Sequence, residues 1–276
     1  MIGGAQLALL LVFCAGPALA QSTGLDALDR REQILGWEAV GKVERSDGFC
    51  TGALIATDLV LTAAHCLYQA DGQPVDPAGL RFRAGYVEGT SVDEVAVARA
   101  VPLDGYVPGG AITEGKLRHD VALLVLARSI PAAVAAPFAV ASPGDGATVS
   151  VVSYALGRED VPSWQRRCSV LGRARGLVAF DCDVTFGASG APVFELGAGR
   201  ARIVSIVSSG TGGADAMAFG MDLPGAVAAL KAQLRSGRGV MGGTDPPAAT
   251  VRRIGQGDGN RSGSGARFVK PPAPGG

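Results

Sequence analysis

The chain has 276 residues, 47% hydrophobic and 18% charged. That excludes a disordered polymer and leaves about 200 residues for a folded unit with a sizeable core once the ends are set aside. Its formal net charge is zero, so the charge balance gives no reason to expect nucleic acid as a partner.

Residues 1–20 read as a secretory signal. Residues 5–13 are almost continuously apolar, and Ala18-Leu19-Ala20 is a small-x-small cleavage site, which would start a mature chain at Gln21. No Lys or Arg precedes the run. As a membrane anchor it is short of the ~20 apolar residues a span needs, and Gly16-Pro17 interrupts it. Phe13 is too bulky to favour lipid attachment at Cys14. Stable membrane insertion is not expected.

Residues 21–36 are polar and charged and read as a short leader. From Trp37 the pattern becomes strand-like: Val40-Gly41-Lys42-Val43 alternates, and two apolar runs, 52–56 and 59–62, flank a Thr57-Asp58 turn. Further strands are expected at 80–84, 92–101 and 121–126. The Ala/Pro stretch 131–137 marks the boundary between two halves, 37–130 and 131–235. In the second half, strands are expected at 148–153, 169–171, 177–180, 192–195, 203–208 and 216–221. Val227, Leu230 and Leu234 then fall at helical spacing after Asp222 and Pro224, so a short helix closes the domain. Residues 236–276 are rich in Gly, Pro, Ser and Arg and read as a disordered, mildly basic tail.

With Cys14 removed, four cysteines remain, an even number for an exported chain. Of the three pairings, Cys50–Cys66 and Cys168–Cys182 close short loops, each worth on the order of 3 kcal/mol in loop entropy. Two histidines and disulfide-spaced cysteines leave no ligand set for a metal, and no organic cofactor is implied.

Three segments carry the chemistry. In Thr62-Ala63-Ala64-His65-Cys66, small residues let the chain turn tightly after a strand and aim the imidazole into a cleft. In His119-Asp120-Val121-Ala122-Leu123-Leu124, a carboxylate opens an apolar strand and wants a partner, for which the His65 Nδ1–H is the natural candidate. His119, adjacent to Asp120, points to the other side and reads as exposed or structural. In Gly187-Ala188-Ser189-Gly190-Ala191-Pro192, two glycines give backbone freedom around a serine. A serine hydroxyl is a poor nucleophile unless a base, a group orienting that base and oxyanion donors surround it.

In this order the three segments resemble the chymotrypsin/trypsin-like serine endopeptidases, over roughly residues 37–234. The resemblance implies an all-β fold of two six-stranded antiparallel β-barrels with the site between them. Its catalytic triad would be His65, Asp120 and Ser189, and the N–H groups of Gly187 and Ser189 would form the oxyanion hole. Val207-Ser208-Ser209-Gly210 resembles the strand that pairs with substrate backbone, with Ser208 beside Asp120 and Gly210 touching substrate. Asp183, six residues before Ser189, stands where trypsin-like members select Arg or Lys, although Cys182-Asp183-Val184-Thr185 resembles bacterial members in which this Asp need not enter the pocket. The histidine that glutamate-specific members place near 203–210 is missing. So is the acid before the nucleophile, which is Ala188 here, so activation by a freed N-terminus after Arg30 or Arg31 is not expected. The implied protein is a secreted or periplasmic monomeric endopeptidase acting on protein or peptide substrates. The alternatives are a catalytically silent binding protein of the same fold and an esterase using the same triad.

Overall fold

The computed structural model describes residues 24–144, 146–197, 199–211 and 217–242. The signal segment and the tail beyond 242 lie outside the described residues. Disulfides join Cys50 to Cys66 and Cys168 to Cys182, closing separations of 16 and 14 residues.

The first half forms a closed ring of six antiparallel strands: β2 (Val40–Arg45), β3 (Gly48–Ala56), β4 (Leu59–Thr62), β5 (Arg81–Ala84), β6 (Asp93–Pro102) and β7 (Ala122–Leu126). The order β6-β5-β2-β3-β4-β7 closes because β6 also pairs with β7. Every residue of β7 is buried, as its unbroken apolar run demands. Leu54, Leu61, Phe82, Leu123 and Leu124 fill the ring with no exposed surface, each stabilising it by about 1.5–3 kcal/mol.

The second half is a curled half-barrel rather than a second ring closed by its ladder. It comprises β8 (Thr148–Ala155), β9 (Arg158–Ala174), β10 (Leu177–Phe180), β11 (Pro192–Glu195), β12 (Arg202–Ile206), β13 (Ser209–Gly210) and β14 (Ala218–Met221). Its path is β12-β11-β8-β9-β10-β14-β13. The two ends of that path are separated in the chain only by Val207 and Ser208, so one bent stretch serves both edges. The Ser208 N–H donates to Phe219 O at 2.8 Å, and the Ser205 hydroxyl to Met221 O at 2.8 Å. The whole of β9 is longer than the three residues expected from sequence. Charged residues on its exposed face and Pro162 hide its alternation.

Each end of the described chain joins the sheet of the other half. Strand β1 (Leu25–Ala27) pairs with β9, placing Leu25 opposite Gln165. Leu28 and Ile34 behind it are buried, so residues 24–36 belong to the fold rather than forming a separate leader. Strand β15 (Met241–Gly242) pairs with β6, so the described chain stays ordered past residue 236, where the tail was expected to begin.

Two helices complete the fold. Helix α1 (Glu114–His119), unanticipated from sequence, starts at Thr113, whose hydroxyl accepts the Lys116 N–H. Helix α2 (Leu223–Ser236) follows Asp222 and ends at Gly237 in the left-handed region. It buries Leu223, Val227 and Leu230, and its Gln233 bridges the Asp104 N–H and Pro102 O at 3.1 Å each. No helix among the described residues is long and apolar enough to cross a membrane.

Candidate active site

His65 lies on a 3₁₀ turn, Ala64–Leu67, directly after β4. Ala63 and Ala64 are fully buried, which lets the turn press against the barrel, and the Cys50–Cys66 bond pins it to β3. Asp120 is the residue at which α1 ends, just before β7. Its carboxylate is 4% exposed and accepts three hydrogen bonds: the His65 N–H at 2.8 Å, His65 Nδ1 at 2.8 Å and the Ser208 hydroxyl. Those donors compensate a buried charge that would otherwise cost several kcal/mol. They also fix the imidazole: with the carboxylate at Nδ1, the proton sits there and Nε2 is left as the basic nitrogen. Burial, then the Asp120 charge, raise the pKa of the neighbouring Tyr106 phenol, which therefore stays neutral.

His119 is the last residue of α1 rather than part of the extended segment expected from sequence. Its Nδ1 bonds Gly115 O at 2.7 Å, one helical turn back.

Ser189 sits on a loop between β10 and β11. Gly190, at φ +76°, packs so tightly that a Cβ there would lie 2.2 Å from the Thr62 hydroxyl and 2.4 Å from Thr51 O. Gly187, at φ +90°, meets the Phe49 ring in the same way. Backbone bonds brace the loop: Ala188 N–H to Thr185 O, Gly190 N–H to Val207 O, Ala191 N–H to Ala188 O and Thr51 N–H to Ser189 O. Among the described residues, the N–H groups of Gly187 and Ser189 have no acceptor within the chain. Ala188 is fully buried.

His65, Asp120 and Ser189 line one cavity of about 630 Å³, together with Ser208, Gly210, Val184, Thr185, Phe186, Val207, Ile112, Lys116 and Leu117. Ser208 and Gly210 both line this cavity, Ser208 with its hydroxyl on Asp120. Asp183 does not line the cavity. Its N–H donates to Gln165 Oε1 at 2.8 Å, and its charge acts on Arg158, whose guanidinium pKa burial pulls down and Asp183 partly restores. Sequence reasoning missed the α1 wall of Ile112, Lys116 and Leu117, and Phe186, which is 82% exposed at the rim. Thr113 followed by Glu114, with Lys116, Arg118 and His119 after it, is a readable cap-and-charge signal for α1, but six residues show no apolar period.

Cys50, His65 and Cys66 bring potential ligand atoms within 4.8 Å of one another. The two sulfurs are bonded to each other and His65 Nδ1 faces Asp120, so no set of lone pairs converges on an ion.

Residues 50–202, more than half of the chain, match the family model of the trypsin-like peptidase domain. The chain belongs to that family. Among curated relatives, the serine protease SP24D of Anopheles gambiae is 38% identical over 111 residues, which are 40% of this chain and 37% of that protein. The match therefore spans little more than a third of that relative's length.

Solved structures place the trypsin-like chain in the chymotrypsin-like fold. A Glu endopeptidase in complex with MPD aligns at TM-score 0.62 and 18% identity, over 79% of this chain and 98% of that one. The thermostable serine protease AL20 from an extremophilic microorganism aligns at 0.57 and 20% identity, over 71% and 97%. The protease Anisep from Arthrobacter nicotinovorans aligns at 0.52 and 18%, over 67% and 90%.

Proposed function

We propose that this trypsin-like chain is an exported serine endopeptidase. The observation that carries the reading is the buried Asp120 carboxylate, which orients His65 through Nδ1 beside a cavity that His65 shares with Ser189. Ser189 Oγ attacks the scissile carbonyl while His65 Nε2 takes its proton. The resulting imidazolium is stabilised by Asp120, and the oxyanion is held by the N–H groups of Gly187 and Ser189. The imidazolium then gives its proton to the leaving amine as the acyl-enzyme forms. Water, activated by the same nitrogen, releases the acid. Two disulfides support an oxidising compartment, secreted or periplasmic.

Among the described residues strand β13 is the last of its sheet path, which leaves its outer edge to pair with an extended peptide. Selection at P1 does not rest on Asp183. Beside the hydroxyls of Thr185, Ser208, Ser209 and Thr211, the lining offers Val184, Val207 and Gly210 and a cation, Lys116, while its acid, Asp120, is committed to His65 and Ser208; that favours an apolar side chain over Arg or Lys.

The test is hydrolysis of a peptide library by the full chain, with Ser189→Ala and His65→Ala beside it. Cleavage abolished by both, and best after apolar residues, is the expected result. Hydrolysis of simple esters without peptides would reassign the protein as an esterase. Loss of the apolar preference in favour of Arg and Lys, reversed by Asp183→Asn, would restore a basic-specific pocket.

A further inference from the structure

We infer that the Gly187 N–H is locked in its donating orientation by two clamps inside the fold, the backbone N–H of Leu156 and the hydroxyl of Thr51. These are positioning groups, and the inference rests on reading Gly187 and Ser189 as the oxyanion donors. It accounts for how the site is assembled without a charged residue before the nucleophile.

The argument is one of peptide planes. The described peptide bonds are trans, so the carbonyl and N–H of each unit point in opposite directions. The Gly187 N–H shares its plane with Phe186 C=O. That carbonyl accepts the Leu156 N–H, at the tip of the β8–β9 hairpin, at 2.7 Å. The bond turns the carbonyl toward the hairpin and the Gly187 N–H away from it. The backbone would not hold this by itself, because glycine near φ +90° rotates at little cost.

The next plane is fixed from the other half of the molecule. Thr51, on β3 and fully buried, donates its hydroxyl to Gly187 O at 2.9 Å and accepts the Tyr154 N–H at 3.0 Å. Its own N–H holds Ser189 O at 2.9 Å. One residue of the first barrel thus fastens the carbonyls on both sides of Ala188 and ties them to β8. Ala188 carries no charge that a freed N-terminus could pair with, and strand β1 holds the segment before Arg30 on β9. The orientation is set by folding.

The Leu156 clamp can be cut at its donor. Ala155 pairs with Arg158 across the turn, and Gly157 has φ +79°. This is a turn with its left-handed residue in third position, and such turns accept proline in second position. The turn therefore accepts Leu156→Pro, which removes the N–H and sets the ring Cδ against Phe186 O, driving that carbonyl off its position, while Leu156→Ala removes only an exposed side chain. In steady-state hydrolysis of a peptide amide, kcat of Leu156→Pro should be lower than that of Leu156→Ala by about 10-fold or more. KM should stay within about 2-fold and the thermal midpoint should fall, since a bonded N–H is lost; outright loss of an oxyanion donor costs ~10²–10³.

Equal kcat in the two folded variants overturns the clamp. If Leu156→Pro does not fold, Thr51→Val against Thr51→Ser decides in its place. A kcat deficit confined to Val supports the clamp, and equal kcat overturns it. A full chain that is active only after cleavage behind Arg30 or Arg31 overturns preset assembly. A chain whose Ser189 never acylates, cut or uncut, removes the oxyanion reading itself.

Discussion

His65 and Asp120 stand on a sheet whose ladder closes on itself, whereas Ser189 stands on one whose two edges are a single strand bent back. In the first barrel, position follows from strand pairing. The 3₁₀ turn bearing His65 leaves β4, Asp120 enters β7, and those two strands are neighbours in register, with Thr62 opposite Ala122. In the second half the Ser189 loop is held by individual hydrogen bonds and by close packing against the first barrel at Gly187 and Gly190. His65 and Asp120 are thus positioned by one ring, and the Ser189 loop is seated by contact between the two halves.

The largest way to break this arrangement is within the first barrel. Asp120→Asn keeps the shape but loses the carboxylate that dictates the His65 tautomer, and kcat should fall by about 10⁴-fold with little change in the thermal midpoint. Retained activity would remove Asp120 from the mechanism.

The seam comes next. Gly190→Ala places a methyl into Thr62 and the Thr51 backbone at a left-handed φ, and should destabilise the protein by about 3 kcal/mol or more in urea unfolding, with activity lost in step. A loss under about 1 kcal/mol would mean that the halves can separate without harm.

Leu28→Ala tests whether the N-terminal strap belongs to the second sheet. It should cost about 2–3 kcal/mol and should not raise kcat/KM. A gain in activity would recast residues 24–36 as an inhibitory leader.

The smallest effect concerns the clip that ties β6 to the segment after β7, where Arg128 bonds Asp93. The Arg128 hydrogen bond holds the Asp93 pKa below 3.8 in the folded state. Its stabilisation is therefore present above the ordinary carboxylate range and is lost as pH falls through the lower folded value. Arg128→Gln should reduce the acid-induced loss of stability between about pH 7 and about pH 3 only slightly, because the guanidinium is exposed.

The parts of the fold legible in the sequence are those with strong local signals. Buried β7 reads as an unbroken apolar run, α2 carries Asp222 and Pro224 at one end and Gly237 at the other, and the cysteines pair over short loops. The family resemblance supplied the order of the three polar residues. What stayed hidden depends on tertiary contact. Thr51 looks like any strand threonine until its hydroxyl is seen between Gly187 and Tyr154. Leu25–Ala27 looks like polar leader until β9 is beside it. Asp183 has the expected spacing, yet it does not line the cavity, and its backbone N–H is bonded to Gln165.

The most direct measurement is labelling of the full chain by a fluorophosphonate probe, beside Ser189→Ala and His65→Ala, with no activating protease. The account predicts labelling that requires both Ser189 and His65 and needs no cleavage behind Arg30 or Arg31. A folded, disulfide-bonded chain that does not label, or labels equally without Ser189, would contradict it.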